Sequence, residues 1–300
     1  MKKIILILLP LLLIGFSISY ASDAGSKGFQ IFKVDVDAAL AGNGGSGIAG
    51  SGNAAIMWNN PAAVNLSNNS SFFFSHLNYI FDLSLNNATI SFNKGKYSFG
   101  FGLTFLNYGS ITKTDQSGDV IGEYHPTDLV GVLNYSRRIT PSLYVGSNLK
   151  LAFEKIDTET AYSVATDLGL VYDSFVRNLN MAMAVQNLGT SSDMKDKSIE
   201  LPSLFKIGSN YEFIINDYTA ASISADMLHY FDVDTKINTG MTIKFDNTIY
   251  TRFGYKFNYD AQDLTMGLGI KIDRYDFNYS FVPYQNELGN SHIISLSHRF

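Results

Sequence analysis

The sequence contains no cysteine, which removes thiolate nucleophiles, thiolate-bound zinc and disulfide staples together. Charge is scarce as well: 16% of the residues are Asp, Glu, Lys or Arg, against roughly 25% in an average soluble domain. Long apolar runs are missing beyond the N-terminus. With a mean hydropathy of +0.03 and no uninterrupted stretch of about 18 apolar residues, a helical membrane protein is excluded. Proline is sparse, at six residues, and the 25 glycines follow no three-residue period, so collagen-like and low-complexity chains do not fit. Nor does disorder fit a chain that is 46% hydrophobic and 14% aromatic. What remains is an all-β chain, soluble or membrane-embedded.

Met1 to Ala21 opens with Lys2 and Lys3, runs through an apolar stretch from Ile4 to Ile14 and closes on Ser19-Tyr20-Ala21. This is the pattern of a secretory signal peptide, and the mature chain is expected to start at Ser22. The formal charge is −5 before the two leader lysines are lost. That balance disfavours nucleic acid as a partner.

From about Ser71 onward the chain alternates with period two, the mark of strands with two chemically different faces. Leu264, Met266, Leu268, Ile270 and Ile272 alternate with Thr265, Gly267, Gly269 and Lys271. The alternation marks fourteen segments: 72 to 82, 85 to 93, 96 to 107, 127 to 138, 142 to 155, 161 to 173, 178 to 187, 203 to 214, 218 to 231, 235 to 246, 248 to 258, 262 to 272, 274 to 283 and 290 to 300. An even number of strands near ten residues long suits an outer-membrane barrel, because lipid leaves no edge hydrogen bond satisfied unless the sheet closes. The links sort by parity. Those after even-numbered segments are short, and most of those after odd-numbered segments are longer, which matches tight periplasmic turns and larger outer loops. Both mature termini are therefore expected on the periplasmic side of an outer membrane.

The polar face of the strands is rich in Gly, Ser, Asn and Thr with isolated charges, which suits an enclosed lumen. Lys150, Asp167, Asp226, Lys244, Arg252, Lys256, Lys271 and Asp276 are the charged residues expected to face it, along with Glu154. Aromatics near strand ends, among them Tyr79, Phe81, Tyr108, Tyr172, Phe231, Tyr255, Phe257, Tyr284 and Phe300, are expected in girdles at the two membrane interfaces. A soluble sandwich with an aromatic core is the competing arrangement.

Residues 22 to 70 precede the first strand. Gly42, Gly44, Gly45, Gly47, Gly50 and Gly52 cluster there, ahead of Asn60, Pro61 and Ala62. Small residues let backbone pack closely in a lumen, and Pro61 fixes its own φ while pushing Asn60 away from helix. The expectation is three regions: leader 1–21, plug 22–70, barrel 71–300. The competing arrangement for the second is a disordered arm, disfavoured by its apolar residues. Gly45 to Gly50 also satisfies GxGxxG, but without the preceding strand, following helix and downstream acid that dinucleotide binding requires.

No catalytic set is apparent. His76, His125, His229, His292 and His298 are scattered, with no pair at ligand spacing, and no serine has a histidine base prepared beside it. Asp115 and Asp119 lack the ligand series of a calcium loop. The expectation is a non-enzymatic chain without cofactor or metal.

Three blocks carry a family resemblance. The opening GFQIFKVDVDAALAGNGGSGIAGSGNAAIMWNNPAAV leads through small residues to Asn60-Pro61-Ala62; QNLG at Gln186 to Gly189 precedes ELPSLFKIGSNY; and Gly267 to Phe300 ends the chain. Together they resemble the PorV/PorQ family, which shares the FadL-like outer-membrane barrel. Where the family's opening commonly has basic residues, this chain has Asp35-Val36-Asp37-Ala38, and where it has acidic ones, Gly50-Ser51-Gly52-Asn53. The resemblance implies an accessory in export of proteins to the cell surface, with secretion-system proteins as partners. The alternative is FadL-like passage of hydrophobic small molecules, with the glycine-rich segment as a gate and a hydrophobic ligand as partner. Outer-membrane lipid is a partner in either case. So is the barrel-assembly machinery, for which the terminal Phe300 resembles the recognition signal.

Overall fold

In a computed structural model, which describes residues 27–50, 52–195, 197–231 and 234–300, the chain forms a closed antiparallel barrel. The leader expected over residues 1–21 lies outside the described residues. Fourteen strands make the wall: β1 (Ser71–Asn78), β2 (Ser84–Lys94), β3 (Tyr97–Asn107), β6 (Thr127–Thr140), β7 (Leu143–Ile156), β8 (Glu159–Asp173), β9 (Leu179–Ser191), β10 (Leu204–Asn216), β11 (Thr219–Tyr230), β12 (Lys236–Phe245), β13 (Ile249–Phe257), β14 (Leu264–Ile272), β15 (Tyr275–Pro283) and β16 (Asn290–Arg299). Each pairs with its neighbour in sequence, and β1 closes on β16 from Ser71 opposite Arg299 to Asn78 opposite His292. Closure satisfies the backbone groups that an open edge would leave bare.

A further hairpin, β4 (Ile111–Thr114) and β5 (Val120–Tyr124), stands in the link between β3 and β6 and was not legible as alternation. The first strand is also shorter than the pattern suggested. Its last residues form a 3₁₀ turn, Ile80–Asp82, in which Phe81 takes a left-handed φ of 56°.

The strand faces decide between barrel and sandwich. Along β3, Tyr97, Phe99, Phe101, Leu103 and Phe105 point outward and exposed, while Ser98, Gly100, Gly102, Thr104 and Leu106 point inward. The same inversion recurs on β14, where Leu268 is 58% exposed and Thr265 is 1% exposed. A contiguous apolar exterior of this extent is a surface for lipid or protein, not for water.

The barrel ends differ. The short turns lie at one end, where Asp246 and Asn247 both take φ of 49° in the β12–β13 turn as a tight hairpin demands. Most longer links lie at the other, although the β7–β8 link there is only Asp157 and Thr158. The two are called the turn end and the loop end below.

The inner face is not polar throughout, as the sequence reading had it. Toward the loop end Leu77, Leu85, Leu106, Val130, Val282 and Ile293 face inward and pack against Phe29, Ile31 and Val36. Three of the expected girdle aromatics, Tyr79, Tyr108 and Tyr284, turn in to join this cluster. Tyr172, Phe231, Tyr255, Phe257 and Phe300 remain exposed on the exterior.

Candidate lumenal site

Residues 27 to 70 run through the barrel from one end to the other. Lys27 bridges Glu200 in the β9–β10 loop, and the Phe29 amide donates to Glu154 Oε2 at 2.8 Å, both at the loop end. Asn69 O accepts from Asn93 Nδ2 at the turn end, just before β1 begins. Ser22, the expected start of the mature chain, lies outside the described residues, and the first described residue stands at the loop end. The lumenal segment adds one crossing to the barrel's fourteen strands, so Lys27 and Phe300, whose amide donates to Ser70 O, stand at opposite ends.

Two stretches of the segment are fastened to the wall, and glycine on the wall makes room for both. In the first, α1 (Ala38–Gly42) is capped by Asp37, whose carboxylate accepts from the Ala39 amide at 2.9 Å. A Cβ on Gly42 would stand 2.7 Å from the Gly267 Cα of β14, and one on Gly254 or Gly240 would strike Gly44 or Asn43. Gly44 and Gly45 themselves take left-handed φ of 74° and 71°, which glycine adopts without a Cβ penalty. Thr265 Oγ1 accepts from the Gly44 amide at 2.9 Å and donates to Gly42 O at 3.1 Å. Asp226 Oδ2 accepts from the amides of Gly47 (2.7 Å) and Ile48 (3.0 Å), a pair of backbone donors that compensates a buried carboxylate.

The second stretch explains the Asn-Pro-Ala signature. Asn60, fully buried, caps the 3₁₀ segment Pro61–Leu66 by accepting from the Ala62 amide at 3.0 Å, and its Nδ2 donates to Ile48 O at 3.1 Å. Pro61 occupies the first helical position, where a missing N–H costs nothing. Ala62 is small because the chain here lies on Gly146, where any Cβ would meet Pro61 and Ala62, while Gly169 makes room for Asn60 and Pro61.

Between the two runs a buried polar network. Lys150 Nζ meets Asp167 Oδ2 at 2.8 Å, with 3% and 0% of the two side chains exposed, and donates to Asn187 Oδ1 at 2.9 Å. Asn148 donates to Asp167 at 2.7 Å and to Met57 O at 2.9 Å. Asn187 reaches in because β9 bulges there, with φ of 60°, and Gln186 beside it donates to Trp58 O and Asn59 O. The QNLG block is thus a strand defect that fastens the segment.

Of the remaining charged residues, Lys256 lies 3.5 Å from Asp35, and Lys244, Arg252, Lys271 and Asp276 line the lumen toward the turn end. Phe300 packs edge-on to Phe92 at 6.2 Å on the exterior. Asp115 Oδ1 accepts from the amides of Ser117 and Asp119, so it closes a turn. No group of residues that could hold a metal occurs among the described residues.

Two cavities flank the segment. The loop-end cavity, ≈ 360 Å³, has an apolar wall of Leu77, Leu204, Leu228, Val282 and Ile293, with Trp58 also lining it, and a polar one that includes Asp35, Lys206, Lys256 and Asp260. Tyr79 and Tyr284 meet edge-on at 5.8 Å at its rim, and Lys236 lies 4.2 Å over the Tyr259 ring. Burial pushes the Tyr259 and Tyr284 phenols above their ordinary range, so both remain neutral at physiological pH. The turn-end cavity, ≈ 500 Å³, is polar. Asp37 and Leu40 line both, so α1 is the partition between them.

No family model matches this sequence, and no curated protein is significantly similar to it. Solved structures are similar to it in fold. The toluene transporter TbuX of Ralstonia pickettii superposes with a TM-score of 0.63 at 12% identity, covering 88% of this chain and 98% of that one. The chain has the barrel fold of these channels. The monoaromatic hydrocarbon channel CymD gives 0.62 at 13% identity, over 89% and 98% of the two chains. A Pseudomonas aeruginosa FadL homologue gives 0.50 at 11% identity, over 89% and 98%. No family model supports the resemblance to the PorV/PorQ family.

The sequence reading missed the apolar half of the lumen and the wall glycines Gly100, Gly146, Gly169, Gly208, Gly240 and Gly254 as docking points. A signal was present, since glycine inside a strand often marks close approach of another backbone. Nothing in the local sequence says which backbone it is.

Proposed function

We propose that the chain is an integral outer-membrane channel for small hydrophobic molecules, closed by its own residues 27 to 66 as a plug. The observation that carries this reading is the loop-end cavity: a space of ≈ 360 Å³ with an apolar wall of Leu77, Leu204, Leu228, Val282 and Ile293 facing polar and charged groups such as Lys206 and Lys256, the mixture of a broad apolar surface and a few polar groups found in small-ligand pockets, set against the partition that separates it from the opposite end. The names of the similar structures, a toluene transporter and a monoaromatic hydrocarbon channel, support the same class of ligand. In this reading the short turns are periplasmic, the loop end faces outward, and Phe300 is the signal read by the barrel-assembly machinery.

The protein's one tryptophan, Trp58, lines this cavity and reports on it directly. Titrating toluene into the detergent-solubilised protein should change Trp58 emission saturably. Leu204→Glu, which places a charge in the wall, should abolish the change. The absence of a saturable response in the native chain would remove the reading.

The second reading, an accessory in protein export, is supported by the three sequence blocks that resemble PorV/PorQ proteins. A deletion strain should then retain cargo proteins in the periplasm, and unaltered surface and secreted proteomes would eliminate this role.

A further inference from the structure

The segment reaches the wall at β10 to β16, then passes β1 to β3 and β6 to β8, and leaves open a turn-end part of the lumen lined by residues of β10 to β16. The cavity there is lined by four cations, Lys244, Arg252, Lys271 and Arg299, and by three carboxylates, Asp37, Glu212 and Asp276. Most of these are already committed. Lys244 pairs with Glu212 at 2.8 Å and Arg299 with Asp276 at 2.7 Å. Asp37 is held by the Ala39 amide and by Asn53 Nδ2 at 3.1 Å.

Arg252 is different. Its side chain is 9% exposed, its guanidinium lies 5.3 Å over the Tyr250 ring, and its Nη1 has no hydrogen-bond partner among the described residues. Asp37 and Asp276 act on it only from beyond ion-pair distance. The space in which it stands is kept by Gly269, where a Cβ would lie 2.8 Å from Nη1. A buried guanidinium with an empty donor is costly unless something accepts from it, and its planar fork matches a two-oxygen acceptor. Lys271, at the same cavity, has no ion-pair partner among the described residues either.

We propose that the turn-end cavity is a second binding site, separate from the loop-end one, which takes an oxyanion, a carboxylate or phosphate group, on the Arg252 guanidinium with Lys271 as the supporting cation. This inference does not depend on what the loop-end cavity holds. Calorimetric titration of the full-length protein in neutral detergent with inorganic phosphate, and separately with acetate, tests it. Saturable binding of at least one of the two is expected, weakened tenfold or more in Arg252→Gln and less in Lys271→Gln. Retention of the heat-modifiable gel shift would confirm that each variant is a folded barrel. No saturable binding of either probe would overturn the proposal, as would undiminished binding by Arg252→Gln or an equal response to chloride. If Arg252→Gln does not fold, phosphate protection of the native guanidinium against phenylglyoxal, mapped by mass spectrometry, decides: unprotected Arg252 overturns the proposal.

Discussion

Gly254 and Leu268 lie on neighbouring strands and face opposite ways, and substitutions at them separate the two surfaces of the wall. Leu268→Arg puts a cation on the exterior near mid-strand and should cost about 2 to 4 kcal/mol in a bilayer, read from urea titration of protein folded into vesicles. Gly254→Ala adds a single methyl group where the Gly44 backbone already stands. Overpacking of this kind costs about 1 to 3 kcal/mol, and an unchanged midpoint would mean that the segment does not dock there in lipid. Gly267→Arg, which a hollow lumen would accept as far as space allowed, is expected to be as damaging as Leu268→Arg because Gly42 lies against it. The buried Lys150–Asp167 pair offers a sharper comparison. Lys150→Met leaves Asp167 charged and unpaired, at a cost of about 3 to 5 kcal/mol, whereas Lys150→Met with Asp167→Leu should recover part of that loss. At this scale the sequence told which face a residue takes, since period two is local. It did not tell what a residue meets, because Gly44 and Gly254 are brought together only by closure of the ring.

Strands were the most legible elements. Each of the fourteen barrel strands overlaps a segment marked by alternation, and the exception at the end of β1 has a physical cause in the left-handed Phe81. The β4–β5 hairpin escaped notice because its paired residues, Ile111 to Thr114 and Val120 to Tyr124, are too few and too polar to establish a period. The lumenal segment was legible as compact but not in its direction. That direction is testable at the Lys27–Glu200 pair, which holds the Glu200 carboxyl below its ordinary range. A carboxylate lowered by its partner keeps the pair through mild acid and loses it only as pH falls through the lowered value. Carbodiimide at pH about 5.5 should therefore join the two side chains, giving a cross-linked peptide detectable by mass spectrometry. Its absence, with Lys244 and Glu212 coupled in the same sample, would contradict the placement of Lys27 at the loop end.

For the molecule as a whole, composition and alternation together separated an inside-out barrel from a sandwich, because sparse charge has to be hidden somewhere. They could not show that α1 divides the interior into two cavities, only one of which has a broad apolar wall. Excising residues 37 to 64 removes that helix and both docked stretches. Planar-bilayer recordings of the excised variant should show a stable conductance that the native chain lacks. Equal traces would mean that the segment does not close the barrel.

The stretch from Lys27 to Asn69 is tethered to β1, and β1 is one lip of the seam that β16 closes. The glycines on the inner face that seat this stretch, Gly146, Gly169, Gly240 and Gly254, come from strands spread around the ring, so a single piece of backbone ties together parts of the sheet that are not neighbours and braces the hoop from within.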